Sequence, residues 1–305
     1  MDFSLWPNPE RSYAETAQLV AQVEAAEWYG AYVADHFMAN VDVGQPAPGP
    51  LLEATATLAA LAASTSTIRL GSLVLSATYR HPAVLANWAA TCDQVSGGRL
   101  ILGLGAGWQE NEHAAYGLPL GPLATRVDRF EEYVQVVRLL TERETVDFAG
   151  EYFTLEGARC EPAPKQQPLP ILLGVKGERR TLRIAAARAD IWNSWCTPAE
   201  LAHRNALLDG HCDDLGRDPS TLRRTTQAMV LPTATTAEGE RRKAEAQGRP
   251  LVVGTSAQML EQLAAYAAAG CAEFIVPTWL LGETAEALEA LERFDLEVVR
   301  PLRAS

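Results

Sequence analysis

Residues 68–103 read IRLGSLVLSATYRHPAVLANWAATCDQVSGGRLILG, and this stretch decides the fold class. Its first part, Ile68–Leu75, is dense in branched apolar residues and is typical of a buried strand. Pro82 then opens a helix over Ala83–Val95, because a proline in the first helical turn loses no hydrogen bond. A Ser-Gly-Gly turn leads into a second apolar strand, Arg99–Gly103. A strand, a helix and a strand in this order predict two parallel neighbours in one sheet.

The same alternation runs along the whole chain. The predicted strands are Phe3–Trp6, Ala31–Ala34, Ile68–Leu75, Arg99–Gly103, Ile171–Gly174, Ile191–Asn193, Thr225–Leu231 and Glu273–Pro277. The helices, marked by apolar residues at helical spacing, are Ala14–Tyr29, Leu52–Ala63, Ala83–Val95, Thr125–Leu140, Arg179–Arg188, Pro198–Leu215, Ala257–Ala269 and Thr284–Val298. Eight strand–helix units predict an α/β fold, the closed (β/α)8 TIM barrel. An open doubly wound sheet is the alternative, but the GxGxxG that usually follows its first strand is absent.

The length of the chain agrees with two arrangements. With 305 residues, it could form two domains of about 150 residues or one barrel larger than the usual ~250 residues. The strand count favours a single barrel domain over residues 1–305, with insertion loops at the C-terminal face at about 38–50, 145–165 and 233–250. The second insertion contains VDFAGEYFTLEG, which predicts a hairpin. We expect the three loops to hang over the site and to influence substrate choice.

Composition excludes several classes of protein. A formal net charge of −12 argues against general binding to nucleic acid or to anionic membranes, which requires basic surface. No apolar stretch is long enough to span a bilayer, and the N-terminus does not resemble a signal peptide. The five cysteines form no CxxC pair and the five histidines show no ligand spacing. We therefore expect a cytoplasmic protein with no disulfide framework and no metal site.

Candidate functional residues follow the strands, because the active site of such a barrel lies at the C-terminal strand ends. Asp35 and His36 follow the second strand, and a glycine-rich run, Gly103–Trp108, follows the fourth. The segment Gly174–Arg180 follows the fifth, and Trp192–Trp195 ends the sixth. For Asp35 and His36 taken alone, a helix cap and a hydrogen-bonded histidine is the preferred explanation.

Two of these loops suit an anionic ligand. Glycines at positions 103, 105 and 107 allow a close backbone approach, although they could also serve only tight turns. Gly174 and Gly177 precede a helix start, where phosphate groups bind readily. Lys176, Arg179 and Arg180 add positive charge there. Against the acidic background, this local basic patch is where we expect the anionic tail of a coenzyme.

Taken together, the motifs resemble the luciferase-like monooxygenase superfamily, and more narrowly its branch that uses the deazaflavin coenzyme F420. The resemblance rests on segments spanning nearly the whole chain in the family's order: WYGAYVADHF at 28–37, IRLGSLVLSATYRHP at 68–82, VSGGRLILGLGAGWQENEHAAYG at 95–117, RVDRFEEYVQVVRLL at 126–140, LPILLGVKGERRTLRIAAARADIWN at 169–193 and GTSAQMLEQLAAYAAAGCAEFIV at 254–276.

The resemblance implies roles for individual residues. A non-prolyl cis peptide commonly supports the coenzyme ring in the third strand, and here it would join Ser72 to Leu73. His36 would transfer a proton or polarise the substrate, because imidazole is suited to proton transfer near neutral pH. The implied coenzyme contacts are Asp35, Ser72, Leu73, Val74, Gly105, Gly107, Gly174, Val175, Lys176, Gly177, Glu178 and Arg179.

Two departures bear on the substrate. The related F420-dependent sugar-phosphate dehydrogenases carry a carboxylate where this chain has Trp108, and a tryptophan where it has Asn40. Both differences argue against sugar-phosphate oxidation and favour an apolar pocket lined by Trp108, with Trp192 or Trp195 opposite. Packing inside the barrel is an equal alternative for Trp192 and Trp195.

Three further polar residues lie close to this region. Glu53 could reach the rim, but a carboxylate favoured by the helix dipole is the preferred explanation. Glu112 and His113 could face the pocket, but a salt bridge from Glu112 to Arg126 or Arg129 is the preferred arrangement.

These features lead to three hypotheses. The first is an F420-dependent oxidoreductase that moves a hydride between the deazaflavin and a small organic substrate. The alternative is a monooxygenase that uses reduced FMN and oxygen. The third is a flavin-binding subunit without turnover. The resemblance also implies a homodimer formed through helices that flank the second and third strands.

Overall fold

The computed structural model describes residues 1–246 and 248–304. Gln247, inside the third predicted insertion, lies outside the described residues. The strands are β1 Asp2–Trp6, β2 Gly30–Val33, β3 Arg69–Ser72, β4 Leu75–Ser76, β5 Leu100–Gly105, β6 Val146–Ala149, β7 Thr154–Ala158, β8 Ile171–Gly174, β9 Ile191–Trp195, β10 Arg223–Gln227, β11 Met229–Pro232, β12 Leu251–Gly254 and β13 Glu273–Pro277.

Helices connect these strands and end the chain. They are α1 Tyr13–Ala25, α2 Ala54–Ser64, α3 Pro82–Ser96, α4 Glu110–Tyr116, α5 Leu123–Glu142, α6 Thr181–Arg188, α7 Pro198–Asp214, α8 Thr236–Arg242, α9 Ser256–Ala268, α10 Thr284–Phe294 and α11 Arg300–Ala304. Their ends follow local chemistry. Ser12 and Glu15 form a capping box at the start of α1, and Gly97, with a φ of 73°, ends α3 in the left-handed conformation.

Eight parallel strands close into a barrel. The ring runs β1, β2, β3, β5, β8, β9, β10 and β13, and pairing of β13 with β1 completes it. Helices lie between successive barrel strands, so the predicted (β/α)8 TIM barrel is confirmed. The open-sheet alternative is wrong, because no edge of the ring is left unpaired.

Two predicted strands differ in the structure. The third is interrupted after Ser72, and its second part, β4, pairs with the upper end of β5. The seventh breaks at Ala228. Its first part, β10, stays in the barrel, whereas β11 pairs with β12, a strand that the sequence analysis missed. Continuous apolar character does not reveal where a strand changes its pairing partner.

The three predicted insertions differ in how much secondary structure they contain. Residues 146–158 form the predicted antiparallel hairpin, β6 and β7. Residues 38–50 contain neither helix nor strand, and residues 233–246 contain α8 and a 3-10 turn.

The apolar core has two layers, since successive strand residues face opposite sides of the sheet. The outer layer fills the space between strands and helices and includes Phe3, Phe130, Trp192 and Phe274. The inner layer fills the barrel and consists of Trp6, Tyr32, Ala34, Leu73, Ile101, Leu172, Ile191 and Ile275. Trp195, Trp279 and Val74 pack against this inner layer from the C-terminal end.

A buried acid lies below the inner layer, at the N-terminal end of the barrel. Glu273 is fully buried and accepts hydrogen bonds from Ser4 Oγ at 2.6 Å and Tyr32 Oη at 3.0 Å. Arg223 Nε approaches its other oxygen at 3.4 Å. Burial raises the pKa of Glu273, and these partners only partly oppose the shift. The folded protein therefore retains this proton at pH values where the unfolded chain has lost it.

Replacing Glu273 by Gln should change how stability depends on pH. A raised pKa means that the contribution of Glu273 to the free energy of unfolding falls as pH rises from about 4.5 through the folded value. Gln keeps the acceptor oxygen and does not titrate, so E273Q should gain stability relative to the wild type as pH rises. Urea unfolding between pH 4 and 8 measures this difference. Exposed Glu156→Gln should match the wild type, and parallel pH profiles for E273Q would contradict the prediction.

The described part of the chain lacks two features. No helix there has the length and apolarity needed to cross a bilayer. Nor do residues 1–246 and 248–304 contain a group of three or more His, Cys, Asp or Glu side chains placed to hold a metal ion.

Candidate functional site

A histidine and a fully buried carboxylate meet at the C-terminal end of the barrel. His36 follows β2, and its Nδ1 lies 2.9 Å from Glu112 Oε1 on α4. The Glu112 side chain is 0% exposed, whereas that of His36 is 26% exposed. An ionised carboxylate only accepts hydrogen bonds, so Nδ1 carries the proton and Nε2 of the neutral ring keeps its lone pair. Nε2 makes no hydrogen bond to the described residues.

Glu112 is held by three donors. Besides His36, Tyr79 Oη donates to Oε1, and the Phe37 N–H donates to Oε2 at 2.8 Å. Burial alone would raise the pKa of Glu112, but the hydrogen bonds outweigh it and the pKa is lowered. Burial and the contact with Glu112 raise the pKa of Tyr79, which therefore stays a donor. The site thus contains a carboxylate that is ionised near neutral pH and accepts a hydrogen bond from His36.

These contacts correct the expected salt bridge. Within the described residues, Glu112 bonds to His36, Tyr79 and Phe37, not to Arg126 or Arg129. His113, by contrast, is buried. It bonds Thr78 Oγ1 at 2.7 Å and the Gln109 carbonyl at 2.6 Å, so its ring fastens α4.

Asp35 belongs to a second charged group. Its carboxylate accepts hydrogen bonds from both terminal nitrogens of Arg80, at 2.7 and 2.9 Å, and from the Ser76 N–H at 2.8 Å. Arg80 also bonds Glu53, which caps α2 by accepting from the Ala56 N–H at 2.7 Å. The helix-end explanation for Glu53 is therefore confirmed. The observed bonds of Asp35 fasten the segment before His36.

Trp108 stands beside the histidine. Its ring meets His36 edge to face with a centroid distance of 5.6 Å, and the residue is 58% exposed. The first insertion lies next to it, because Gln109 Nε2 donates to the Met38 carbonyl and Asn111 Nδ2 to the Ala39 carbonyl. Between them is a cavity of about 290 Å³ lined by Asn40, Val41, Asp42, Val43, Trp108, Glu110 and Asn111.

The interruption of the third strand forms the floor of the site. A non-prolyl cis peptide is present, but it joins Leu73 to Val74, so the expected position between Ser72 and Leu73 is wrong by one residue. Ser72 is fully buried; its hydroxyl donates to the Gly103 carbonyl at 2.8 Å and accepts from the Gly103 N–H at 3.1 Å. The side chain of Ser72 is thus used between the strands.

Two of the glycines make room for Val74. A Cβ on Gly105 would lie 2.5 Å from Val74 Cγ2, and one on Gly174 would lie 2.8 Å from Val74 Cγ1. Gly107 has a φ of 82°, and a Cβ there would meet Ser76 Oγ and Thr78 Oγ1 at 2.8 Å. Close packing at the strand ends therefore requires these glycines, and the positive φ of Gly107 also agrees with the alternative that they serve tight turns.

Gly174→Ala should push Val74 out of place and lower the free energy of unfolding by about 1–3 kcal/mol, as overpacking does. Adding Val74→Ala should restore part of this loss, because the two changes act on one contact. Chemical denaturation of both single variants and the double variant measures the coupling. Gly210→Ala is the control, since nothing lies within 4 Å of its Cβ. Additive effects of G174A and V74A would contradict the prediction.

The basic loop after β8 is exposed. Lys176, Gly177, Glu178 and Arg179 all lie at the surface, whereas Val175 is buried and its carbonyl accepts from Trp192 Nε1 at 2.9 Å. α6 begins at Thr181, two residues later than predicted, and Thr181 Oγ1 accepts from the Gly177 N–H.

Not every charge in this loop is available. Arg180 pairs with Asp128, and Glu178 lies 3.3 Å from His203. Lys176 and Arg179 form no ion pair with the described residues, so they remain available to an anion.

The two candidate pocket tryptophans lie on opposite sides of β9. Trp192 is 0% exposed and belongs to the outer core. Its role is therefore packing, and the prediction that it lines a pocket is wrong. Trp195 packs against the inner core instead, together with Trp6 and Trp279. Trp6 and Trp279 were not predicted as site residues, although both stand at strand ends, where the same rule would have found them.

The family model for luciferase-like monooxygenases matches residues 1–249. The chain belongs to this family. Among curated relatives, the pyrimidine monooxygenase RutA of Cronobacter sakazakii is 34% identical over 175 residues, 55% of this chain and 50% of RutA. The F420-dependent glucose-6-phosphate dehydrogenase of Amycolatopsis mediterranei is 35% identical over 147 residues, 48% of this chain and 43% of that protein. The chain thus spans about half the length of these relatives.

A solved structure extends the likeness over the full fold. The structure of an F420-dependent secondary alcohol dehydrogenase in complex with an F420-acetone adduct superposes with a TM-score of 0.83 and covers 98% of each chain, at 17% identity. The family thus includes relatives that are named as monooxygenases and relatives that are named as F420-dependent dehydrogenases. The family alone therefore leaves the coenzyme open.

The residues present are suited to a flat ring with an anionic tail. Leu73 and Val74 offer apolar side chains at the break in the third strand, and His36 contacts Trp108 after the ends of β2 and β5. The exposed cations of the loop after β8 suit the charge of a tail.

Proposed function

We propose that this protein is an oxidoreductase that uses coenzyme F420 and transfers a hydride to or from a small organic substrate. The observation that carries the proposal is the contact between His36 and the buried Glu112. Hydride transfer to or from an oxygen- or nitrogen-bearing carbon requires a proton to move as well. A histidine with its Nδ1 held by an ionised carboxylate is built for that transfer.

Each residue has a defined task in this proposal. Glu112 holds the ring of His36 in one orientation and one tautomer, as the buried acid does in other histidine pairs. His36 Nε2 takes the substrate proton or returns it in the reverse direction. Trp108 covers this edge and excludes water. The coenzyme, when bound, supplies or accepts the hydride.

Binding of the coenzyme is assigned to the strand ends. We propose that Leu73 and Val74 support the ring, and that the backbone at Gly105, Gly107, Gly174 and Gly177 approaches the chain attached to it. Lys176 and Arg179 would neutralise its anionic end. Asp35 would act through Ser76 and the backbone before His36, because its own oxygens are bonded.

A monooxygenase that uses reduced FMN and oxygen is the second candidate. The similarity to a pyrimidine monooxygenase over 175 residues favours it.

Titrating the purified protein with F420 and with FMN while following coenzyme fluorescence tests the proposal. We expect F420 to bind in the micromolar range or tighter and FMN to bind more weakly. Tight FMN binding without F420 binding would contradict the F420 proposal and support the FMN-dependent monooxygenase. If neither coenzyme supports redox turnover of any substrate in a broad panel, a flavin-binding subunit without turnover is favoured.

We further propose a cytoplasmic homodimer with one barrel domain per chain. All five cysteines are buried free thiols, in keeping with a reducing compartment. On α3, which follows the third strand, Val84 and Val95 are 64% and 51% exposed, and a partner subunit could cover them.

A further inference from the structure

Three tryptophans from distant parts of the chain form an aromatic wall at the mouth of the barrel. Trp6 ends β1, Trp195 ends β9 and Trp279 follows β13. The ring centroids are 5.0 Å apart for Trp6 and Trp279, 5.9 Å for Trp6 and Trp195, and 5.8 Å for Trp195 and Trp279. All three belong to the inner core or pack against it. The wall therefore faces the interior rather than the helices.

An amide pair, Asn193 and Gln227, lies beside the aromatic wall. Ile191 belongs to the inner core, so Asn193 and Trp195 on the same strand also face inward. Gln227 is the register partner of Trp195 on one side and of Ile275 on the other, and it faces inward too. Asn193 Nδ2 donates to Gln227 Oε1 at 2.8 Å. Both residues are 2% exposed.

A third residue sets the orientation of both amides. Thr225 donates its single hydroxyl proton to the Trp192 carbonyl at 3.0 Å, so it accepts at 2.9 Å from Asn193. The atom of Asn193 that faces Thr225 must therefore be the NH2 group. That same NH2 group meets Gln227, which presents its oxygen. Asn193 Oδ1 and Gln227 Nε2 are the atoms that remain.

Neither atom makes a hydrogen bond to the described residues. Neither atom is fully enclosed by the protein. Next to the aromatic wall, one acceptor and one donor thus have no hydrogen-bond partner among the described residues. Buried amides of native proteins are nearly always satisfied by protein, water or ligand. Trp6 Nε1 is a further donor in the wall without a partner in the described part of the chain.

We propose that the aromatic wall and the amide pair form a subsite for a flat nitrogen heterocycle with a lactam edge, that is, a ring carbonyl beside a ring N–H. Gln227 Nε2 donates to the carbonyl, Asn193 Oδ1 accepts from the N–H, and indole rings contact the face of the heterocycle. The guanidinium of Arg249 lies over the Trp195 and Trp279 rings at 5.9 and 5.4 Å and packs against the aromatic wall.

The inference rests on the proposed function, because it treats the barrel mouth as the redox site. A lactam edge occurs both in deazaflavin and flavin rings and in heterocyclic substrates. The chemistry of recognition is the same for both sources, and competition between ligands separates them.

The test uses Gln227→Glu and Gln227→Met. In Q227E an oxygen still accepts from Asn193, but the Nε2 donor is lost; Q227M removes the donor without adding charge. Gln18→Glu, the same change on the exposed outer face of α1, is the matched control. Calorimetry measures the binding of uracil, of 1,3-dimethyluracil, which lacks the ring N–H, and of FMN and F420. Circular dichroism checks that each variant is folded.

We expect both Gln227 variants to bind at least one lactam-ring ligand roughly tenfold or more weakly, and Q18E to match the wild type. If uracil competes with the coenzyme, the subsite holds the coenzyme ring; if uracil binds the loaded enzyme, it holds the substrate. Equal binding of every ligand by wild type and both variants would overturn the inference, as would no lactam-ring binding at all. Redox turnover of the wild type is measured separately, so failure of the proposed function remains distinguishable.

Discussion

His36→Ala should lower turnover by about 10²- to 10⁴-fold while leaving coenzyme affinity nearly unchanged, which is the usual effect of removing a general acid or base. The reason lies in the geometry at the barrel mouth. His36 is fastened through Nδ1 to Glu112, so only Nε2 is available to the substrate. Alanine removes the proton carrier without touching Leu73, Val74 or the loop after β8. Steady-state kinetics and coenzyme titration measure the two effects.

Added imidazole provides the control for this variant. Free imidazole should restore part of the turnover of H36A, because the cavity left by the side chain lies at a partly exposed position. Turnover equal to that of the wild type would remove His36 from the reaction. A large loss of coenzyme affinity instead would mean that His36 binds the ring rather than moving a proton.

Glu112→Gln should reduce both turnover and stability. The wild-type carboxylate accepts from His36, Tyr79 and the Phe37 N–H, and a carboxamide cannot accept from all three because one of its ends is itself a donor. An unsatisfied buried group costs about 1–3 kcal/mol. Loss of the ring orientation of His36 should cost about 10- to 100-fold in turnover. Thermal unfolding and steady-state kinetics measure the two losses.

The pH dependence distinguishes a lost charge from a general defect. The pKa of Glu112 is lowered in the folded protein, so its stabilisation is present above about 4.5 and is lost as pH falls through the folded value. The stability difference between wild type and E112Q should therefore shrink below pH 4.5. Exposed Glu131→Gln on α5 should show neither the kinetic nor the stability effect. A constant difference at all pH values would contradict the role of the ionised carboxylate.

The barrel was predictable because its signals are local. Apolar runs such as Ile171–Gly174, the proline that opens α3 and the glycine that ends it each follow from the dihedral and packing preferences of neighbouring residues. Repeating that unit eight times is enough to indicate closure. The break at Ala228 was missed because the apolar pattern continues through it while the pairing partner changes from β13 to β12.

The sequence predicted where the candidate site lies but not which residues contact each other in it. The rule that strand ends carry the chemistry selected His36, Trp108 and Trp195, and all three stand at the mouth of the barrel. The rule could not identify partners. Glu112 lies 76 residues from His36, and no periodicity relates a helix residue to a loop so far away.

The sequence by itself determined the strand–helix order, the family resemblance and the side of the barrel on which the chemistry lies, because each depends on residue type and short spacing. Only the tertiary structure decided that Glu112 holds His36, that the cis peptide joins Leu73 to Val74, and that Trp192 faces the helices while Trp195 faces the interior. Those facts depend on which strands become neighbours and on which face of the sheet each side chain points to, since adjacent residues of a strand point to opposite faces. That choice is made when the barrel closes, and a chain read in one dimension does not contain it.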